Sequence, residues 1–429
     1  MATHNEPRVI EGVPSPFCGI AADDLVVRVD GDRVEVIENG CPVTRPAFEQ
    51  PLGDRRPRVA GKEVTLDEAA AEAARLLAGA RLPLYGGLAT DVNGMRAALS
   101  LADRTGGVVD SLDSEAALRN IQTVQNSGWM TTTLSEVKNR ADLLVVVGCD
   151  LEQYFPRFFS RHLWTDDAMF IDDPEQREVV FLGRAPTGEA AVTPGGRPPL
   201  LLQCKDEDLP EVVSVLRALV NGRRVQARRV GGIPLEDLTD LAGRLKQARY
   251  GVVTWVAGAL QFPGAELTVE MLCETIKELN ATTRCAGLPL GGRNGGQTAT
   301  QVCTWQTGYP TRVSFASGTP QYDPHLYCTG RLLASGEADC LVWVSAYDTA
   351  AVPPPCEVPT IVLGRSGMTF DREPDVYIPV GVPGIDHAGH TYRTDNVVAI
   401  RLRKLRDSGL PSTAEALSAI EHALQESSC

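Results

Sequence analysis

One pattern occurs twice in this chain and limits what it can fold into. Ala141-Asp142-Leu143-Leu144-Val145-Val146-Val147-Gly148 is matched by Ala338-Asp339-Cys340-Leu341-Val342-Trp343-Val344-Ser345. Leu143 to Val147 is an unbroken apolar run, β-branched in its second half, and reads as a strand covered on both faces, and the second copy repeats the pattern. Upstream of each lies a second matching unit. Leu82-Pro83-Leu84-Tyr85-Gly86-Gly87 leads through a helix over 92–105 into Gly107-Val108-Val109-Asp110. Tyr250-Gly251-Val252-Val253-Thr254-Trp255 leads through a helix over 265–279 into Thr282-Thr283-Arg284-Cys285. Strands alternating with helices make an α/β fold, and the repetition predicts two related doubly wound, Rossmann-like lobes. The first copy ends in Gly148-Cys149-Asp150, where a glycine lets the backbone turn tightly. Open parallel sheets place ligand crevices at such strand ends.

Composition narrows the function classes. A chain of 429 residues, 43% hydrophobic and 22% charged, builds more than one domain and a sizeable core. A net charge of −14 argues against nucleic acid and against an anionic membrane as the main partner. The first residues, MATHNEPRV, lack the basic and apolar regions of a secretory leader, and no apolar run approaches the ~18 residues of a spanning helix. A cytoplasmic address is expected. None of the eleven cysteines fall at CxxC spacing, so a zinc ribbon is not indicated.

Along the chain, residues 1–55 read as a small β-rich module. Its hairpin joins Leu25–Val29 to Val34–Glu38 through Asp30-Gly31-Asp32. Thr65 caps a helix from Leu66 to Ala78 with Asp67 and Glu68 in its first turn. Met169–Asp173 is expected as the strand after 143–147, and the Gly- and Pro-rich stretch 187–199 as a loop. Helices are expected over 209–220 and 234–248, strands over 359–363 and 376–380, and a terminal helix near Ala414 capped by Ser412. The domain reading is a 1–55 module, a first lobe from 56–125 with 290–405, a second lobe from 126–289, and a C-terminal helix in 406–429.

Several blocks carry a resemblance that spans nearly the whole chain in collinear order. They are Ser15 to Cys18 with Cys41, Thr131 to Asp142 (TTTLSEVKNRAD), Pro156 to Arg161, Thr304 to Pro310 (TWQTGYP) and Gly381 to Asp386. On these residues the chain resembles the B subunit of formylmethanofuran dehydrogenase, of the molybdopterin oxidoreductase superfamily. The resemblance implies a formate dehydrogenase/DMSO reductase-like arrangement of domains I–III.

The departures from that family matter most. The family holds a four-iron cluster on four cysteines of its first module, whereas the corresponding positions here are Ser15, Cys18, Ala22 and Cys41. The family's tungsten or molybdenum ligand, a cysteine or selenocysteine followed by histidine, falls near Glu115-Ala116-Ala117, with Ala116 in the ligand position. No cysteine lies between Cys41 and Cys149, so soft thiolate ligation is absent there. The resemblance places a vestigial pterin crevice at Gly148, Cys149, Asp150, Arg157, Arg161, Gly292 and Arg293. No iron–sulfur cluster and no tungsten or molybdenum pterin is therefore expected.

This pattern is similar to the B subunit of the bacterial formyltransferase/hydrolase complex of one-carbon metabolism. That resemblance implies a non-catalytic structural subunit partnered by subunits A, C and D. Two alternatives stay open, an active metal-pterin formylmethanofuran dehydrogenase subunit and a divergent α/β protein of other activity. Asp386, His387 and His390 read as a weak metal candidate. The basic clusters at Arg223-Arg224 with Arg228-Arg229, and at Arg401, Arg403, Lys404 and Arg406, read as solvated faces or local anion sites.

Overall fold

The computed structural model describes residues 6–427. Residues 1–5 and 428–429, which carry the start of the leader reading and Cys429, lie outside the described residues. The chain forms two compact units, one from the segments before Glu115 and after Gly291, the other from Glu115–Gly291. Both are mixed α/β with parallel sheets.

The second unit is built on five parallel strands in the order Leu200–Gln203, Glu178–Gly183, Leu143–Val147, Gly251–Val256, Cys285–Leu290. In the first unit, five parallel strands run Val108–Val109, Pro83–Ala89, Cys340–Ser345, Thr360–Arg365, Val376–Val380. Short antiparallel strands extend that sheet at both edges.

The two five-strand sheets have one order under the sequence correspondence. The 251–256 and 285–290 strands take the places of 83–89 and 108–109, and 143–147 takes the place of 340–345. Register agrees as well: Leu143 pairs with Gly251, and Cys340 with Pro83. So does a local device. The Asp142 carboxylate accepts from Arg249 N (2.7 Å) and Tyr250 N (2.8 Å), and Asp339 accepts from Arg81 N (2.9 Å) and Leu82 N (3.0 Å). In each unit one aspartate satisfies N–H groups where a helix gives way to a strand. Only the chain order differs, because the strand pair comes first in one unit and last in the other.

Helices cover the strands through small or apolar faces. The Leu66–Gly79 helix begins with a capping box between Thr65 and Glu68 and buries Ala69, Ala70, Ala73, Ala74 and Leu77. The Thr413–Ser427 helix packs on it and on Val92–Thr105.

Several expectations need correction. Met169–Asp173 forms no strand, because Met169 N and Phe170 N are held by Asn139 Oδ1 (3.0 Å) and Asn139 O (3.1 Å). The neighbouring strand is Glu178–Gly183. Thr282 and Thr283 are not strand either, since their N–H groups close the preceding helix on Leu279 O, and the strand starts at Cys285. Residues 115–125, expected in the first lobe, belong to the second unit. Their helix, Ser114–Asn126, is tied there by Asn120 Oδ1, which accepts from Trp255 Nε1 (2.9 Å), and by Arg119, which donates to Ala257 O (3.1 Å).

Residues 6–55, expected as a module of their own, group with the first unit. They add an antiparallel sheet, Arg8–Val13, Leu25–Asp30 and Arg33–Glu38, to the first unit. Phe17 packs edge-on against Tyr347 at 5.9 Å, and Arg365 donates to Ala47 O (2.7 Å). The outer strand, Arg8–Val13, escapes sequence reading because its side chains are mostly exposed and show little alternation.

Candidate functional site

Ser15, Cys18, Ala22 and Cys41 are all buried in the first unit. Ser15 N donates to Ala22 O (2.8 Å) and Ala21 N to Cys18 O (2.8 Å), so the loop closes on itself through its own backbone. Cys41 Sγ accepts from Thr44 N and Thr44 Oγ1, both at 3.4 Å. Ser15 Oγ is fully buried and has no hydrogen-bond partner among the described residues. Burial pushes the Cys18 thiol up to about 11, with the nearby Cys41 adding to the rise and Arg293 opposing it. The donor set is thus two thiols, one hydroxyl and one methyl, with Cys18 protonated at neutral pH.

Gly292 and Arg293 lie in the same unit. Gly292 takes φ +72, and a Cβ there would fall 2.6 Å from Gln297 Cβ, so only glycine makes this turn without strain. The turn enters the Gly296–Thr307 helix directly. The Arg293 charge acts on both Cys18 and Asp113, whose carboxyl is raised by burial. Sequence reading missed two groups at the ends of the adjacent central strands of this sheet. Asp91 caps the Val92–Thr105 helix through Oδ1 (3.0 Å to Gly94 N), while its buried Oδ2 and the buried Tyr347 Oη have no hydrogen-bond partner among the described residues. The Thr90-Asp91 pair directly before a helical stretch was the available cue.

In the second unit the strand order reverses between 143–147 and 251–256, the place where doubly wound sheets open a crevice. Gly148 turns the chain there at φ +66. Cys149 is fully buried and burial lifts its thiol to about 12. Asp150 is spent on structure: Oδ1 faces Gln153 N (3.4 Å), and Oδ2 accepts from Thr187 N (2.9 Å) and Thr187 Oγ1 (2.6 Å). The 187–199 loop, irregular as expected, is thereby fastened to the strand end, and Glu152 Oε2 holds it again at Ala190 N (3.1 Å). Arg157 and Arg161 are half-buried around the short Phe158–His162 helix.

Ala116, expected from the resemblance at a ligand position, lies in the same unit. A Cβ on Gly258 would meet Ala116 Cβ at 3.5 Å, just past the end of the 251–256 strand. One turn along the helix, Arg119 reaches Ala257 O. The sequence did not single out Arg119, although its place one helical turn beyond Ala116 was a readable cue.

The other candidates do not assemble. Asp386 is consumed by Val382 N (2.8 Å) and Arg406 Nε (2.7 Å), while His387 Nδ1 lies against Ala388 O (2.9 Å) and His390 is exposed. Among the described residues no group of three or more His, Cys, Asp or Glu is arranged to hold a metal ion. Arg406 is buried in its ion pair, and Lys404 pairs with Asp407 (3.1 Å). Among the described residues no helix is long and apolar enough to cross a membrane.

No family model matches the chain. It is 28% identical over 427 residues to the B subunit of the tungsten-containing formylmethanofuran dehydrogenase 2 of Methanococcus maripaludis, covering 95% of this chain and 97% of the relative. Against the enzyme of the same description from Methanocaldococcus jannaschii it is 28% identical over 416 residues, covering 93% and 94%. It is 29% identical over 334 residues to the B subunit of the formyltransferase/hydrolase complex of Methylorubrum extorquens, covering 76% and 85%. This chain is similar to B subunits of both kinds. A chain in the crystal structure of the Methylorubrum extorquens formyltransferase/hydrolase complex, solved with methylofuran, superposes with a TM-score of 0.73 at 26% identity, covering 87% of this chain and 99% of that one. Acetylene hydratase from Pelobacter acetylenicus shares the fold, with a TM-score of 0.63 at 8% identity over 96% of this chain and 70% of its own.

Burial sets the reactivity of the first-unit thiols. Among the described cysteines of the folded chain at pH 8, iodoacetamide is expected to spare Cys18 and to label the half-buried Cys328 and Cys356 first. Peptide mass spectrometry reads the order, and early labelling of Cys18 would contradict the closed loop.

Proposed function

We propose that this chain is a non-catalytic structural subunit of a formyltransferase/hydrolase complex. Such a complex moves a formyl group from formyl-tetrahydromethanopterin to a methanofuran analogue and releases formate. In this reading subunits A, C and D are the partners, and the chemistry lies on them. The observation that carries it is the donor set in the N-terminal loop. Ser15, Cys18, Ala22 and Cys41 offer two thiols where a four-iron cluster needs four thiolates. Their loop is closed by its own backbone bonds, and Cys41 Sγ is already engaged by Thr44. These residues do not fit the cluster. At the second position the fit fails again: Ala116 offers a methyl group where tungsten or molybdenum takes a soft ligand. The fastening of the 187–199 loop on Asp150 is also consistent with a crevice held by the chain itself.

A second reading, a metal-pterin dehydrogenase subunit, is favoured by one observation. The dehydrogenase relatives align over 95% and 93% of the chain, and the formyltransferase/hydrolase relative over 76%. Overall alignment reports common descent and fold, whereas redox chemistry depends on particular ligands. The ligand positions weigh more.

The test is metal and activity analysis of the purified native complex. Iron, tungsten and molybdenum are expected at trace level, with formate released and no viologen reduced. Ala116→Cys is expected to restore no viologen reduction, because the electron path through a cluster is still missing. Viologen reduction by the unmodified complex, with tungsten or molybdenum present, would overturn the reading.

A further inference from the structure

We propose that Met169 and Phe170 anchor a protein-docking surface, and that its occupant is a partner chain with an apolar pocket edged by lysine or arginine. Met169 is 73% exposed and Phe170 52%. Large apolar side chains held in water forgo the stabilisation that burial brings, so a fixed pair of them calls for an explanation. Here the backbone of both residues and the Phe170 ring are fixed. Their backbone N–H groups are held by Asn139 Oδ1 and Asn139 O, and Asn139 Nδ2 is itself tied to Ser135 O (2.9 Å). The Arg140 guanidinium lies 4.2 Å from the centre of the Phe170 ring and pairs with Glu136 at 2.7 Å. The next residue, Ile171, is buried and pins the far end. An anchor ordered before contact loses little freedom on docking. Methionine and aromatic residues are also the types enriched in interface cores.

Charge decides the kind of partner. Asp166, Asp167, Asp172 and Asp173 flank the anchor on both sides. Asp167 is paired with Lys138 (2.7 Å), and Asp173 Oδ1 accepts from Glu175 N (2.9 Å). Asp166 and Asp172 are exposed and hold no hydrogen bond or ion pair among the described residues. An acidic collar favours a pocket with a basic rim and rejects an acidic one. A second copy of this chain is disfavoured, because a two-fold contact would set collar against collar. An anionic membrane meets the same repulsion.

The occupant used in the test rests on the proposed subunit role, so the partners are subunits A, C and D of the complex. The full chain is co-expressed with them, and its affinity for the remaining subunits is measured at about 50 and 500 mM salt. Two variants are compared, Met169→Ala with Phe170→Ala, and Asp166→Asn with Asp172→Asn. The first is expected to weaken association roughly a hundredfold with an unchanged melting temperature. The second keeps the fold by isosteric exchange of exposed groups, and it is expected to weaken association and flatten its salt dependence. Equal affinity of the alanine variant and the unmodified chain overturns the inference while the subunit role stands. Self-association of the isolated chain that disappears in the alanine variant overturns it too. Failure of the unmodified chain to join the other subunits overturns the subunit role instead.

Discussion

Asp386→Ala is expected to lower the stability of the folded chain by roughly 3–5 kcal/mol, the cost of leaving a buried charge without its partner. The Arg406–Asp386 pair, 2.7 Å apart, has side chains only 2% and 1% exposed. Arg406 also donates to Asp32 O (2.6 Å), and Asp386 accepts from Val382 N, so one pair ties three segments of the first unit. With the carboxylate gone, the guanidinium stays in a place that water does not reach. Replacing both partners, Asp386→Ala with Arg406→Met, is expected to recover part of the loss, because no uncompensated charge remains. Denaturant melts of the two variants read the difference. Equal loss in both would place the cost in packing instead.

Gly148→Asp is expected to abolish recovery of folded chain, with a cost of roughly 4 kcal/mol or more from three sources acting together. The residue sits at φ +66, which side chains other than glycine adopt with strain. A Cβ would lie 2.6 Å from Leu260 Cδ2 and 2.8 Å from Leu209 Cδ2, both on buried leucines. A carboxylate would then be forced among apolar side chains at a strand end. Gly308 makes the control. It also has a positive φ, at +84, yet a Cβ there meets nothing within 4 Å among the described residues. Gly308→Asp is therefore expected to cost only the local strain, about 1–2 kcal/mol, and to leave soluble folded protein. Expression and circular dichroism of the pair check this, and similar behaviour of both would sink it. The sequence alone makes the two glycines look alike, since each ends a regular element.

Regular elements were the most legible part of the molecule. The strands over 143–147 and 376–380 and the helices over 92–105 and 265–279 stand where their residue patterns put them. Buried parallel strands are continuous apolar runs, and amphipathic helices repeat every three or four residues, so both leave a local signature. Met169-Phe170-Ile171 carried the strand signature and misled, because one residue of another helix, Asn139, captures its N–H groups. No local pattern contains that competition. The same limit hid the allegiance of residues 115–125, which was settled by Trp255 and Ala257, more than a hundred residues along the chain.

At the candidate site the division is similar. Which ligand atoms are present is a matter of residue type, and serine at 15 and alanines at 22 and 116, the positions that the resemblance aligns with ligands, can be read without coordinates. It also determined the repeated α/β units, because the matching runs and their entry aspartates, Asp142 and Asp339, are written in the chain. Tertiary structure alone decided what the remaining polar groups do. Asp150 is engaged by Thr187, Cys41 by Thr44 and Asp386 by Arg406, each through a hydrogen bond fixed by the folded positions of both residues. A side chain's chemistry is local and survives in the sequence. Its partner is chosen by three-dimensional proximity and burial, which the order of residues encodes only through the whole fold.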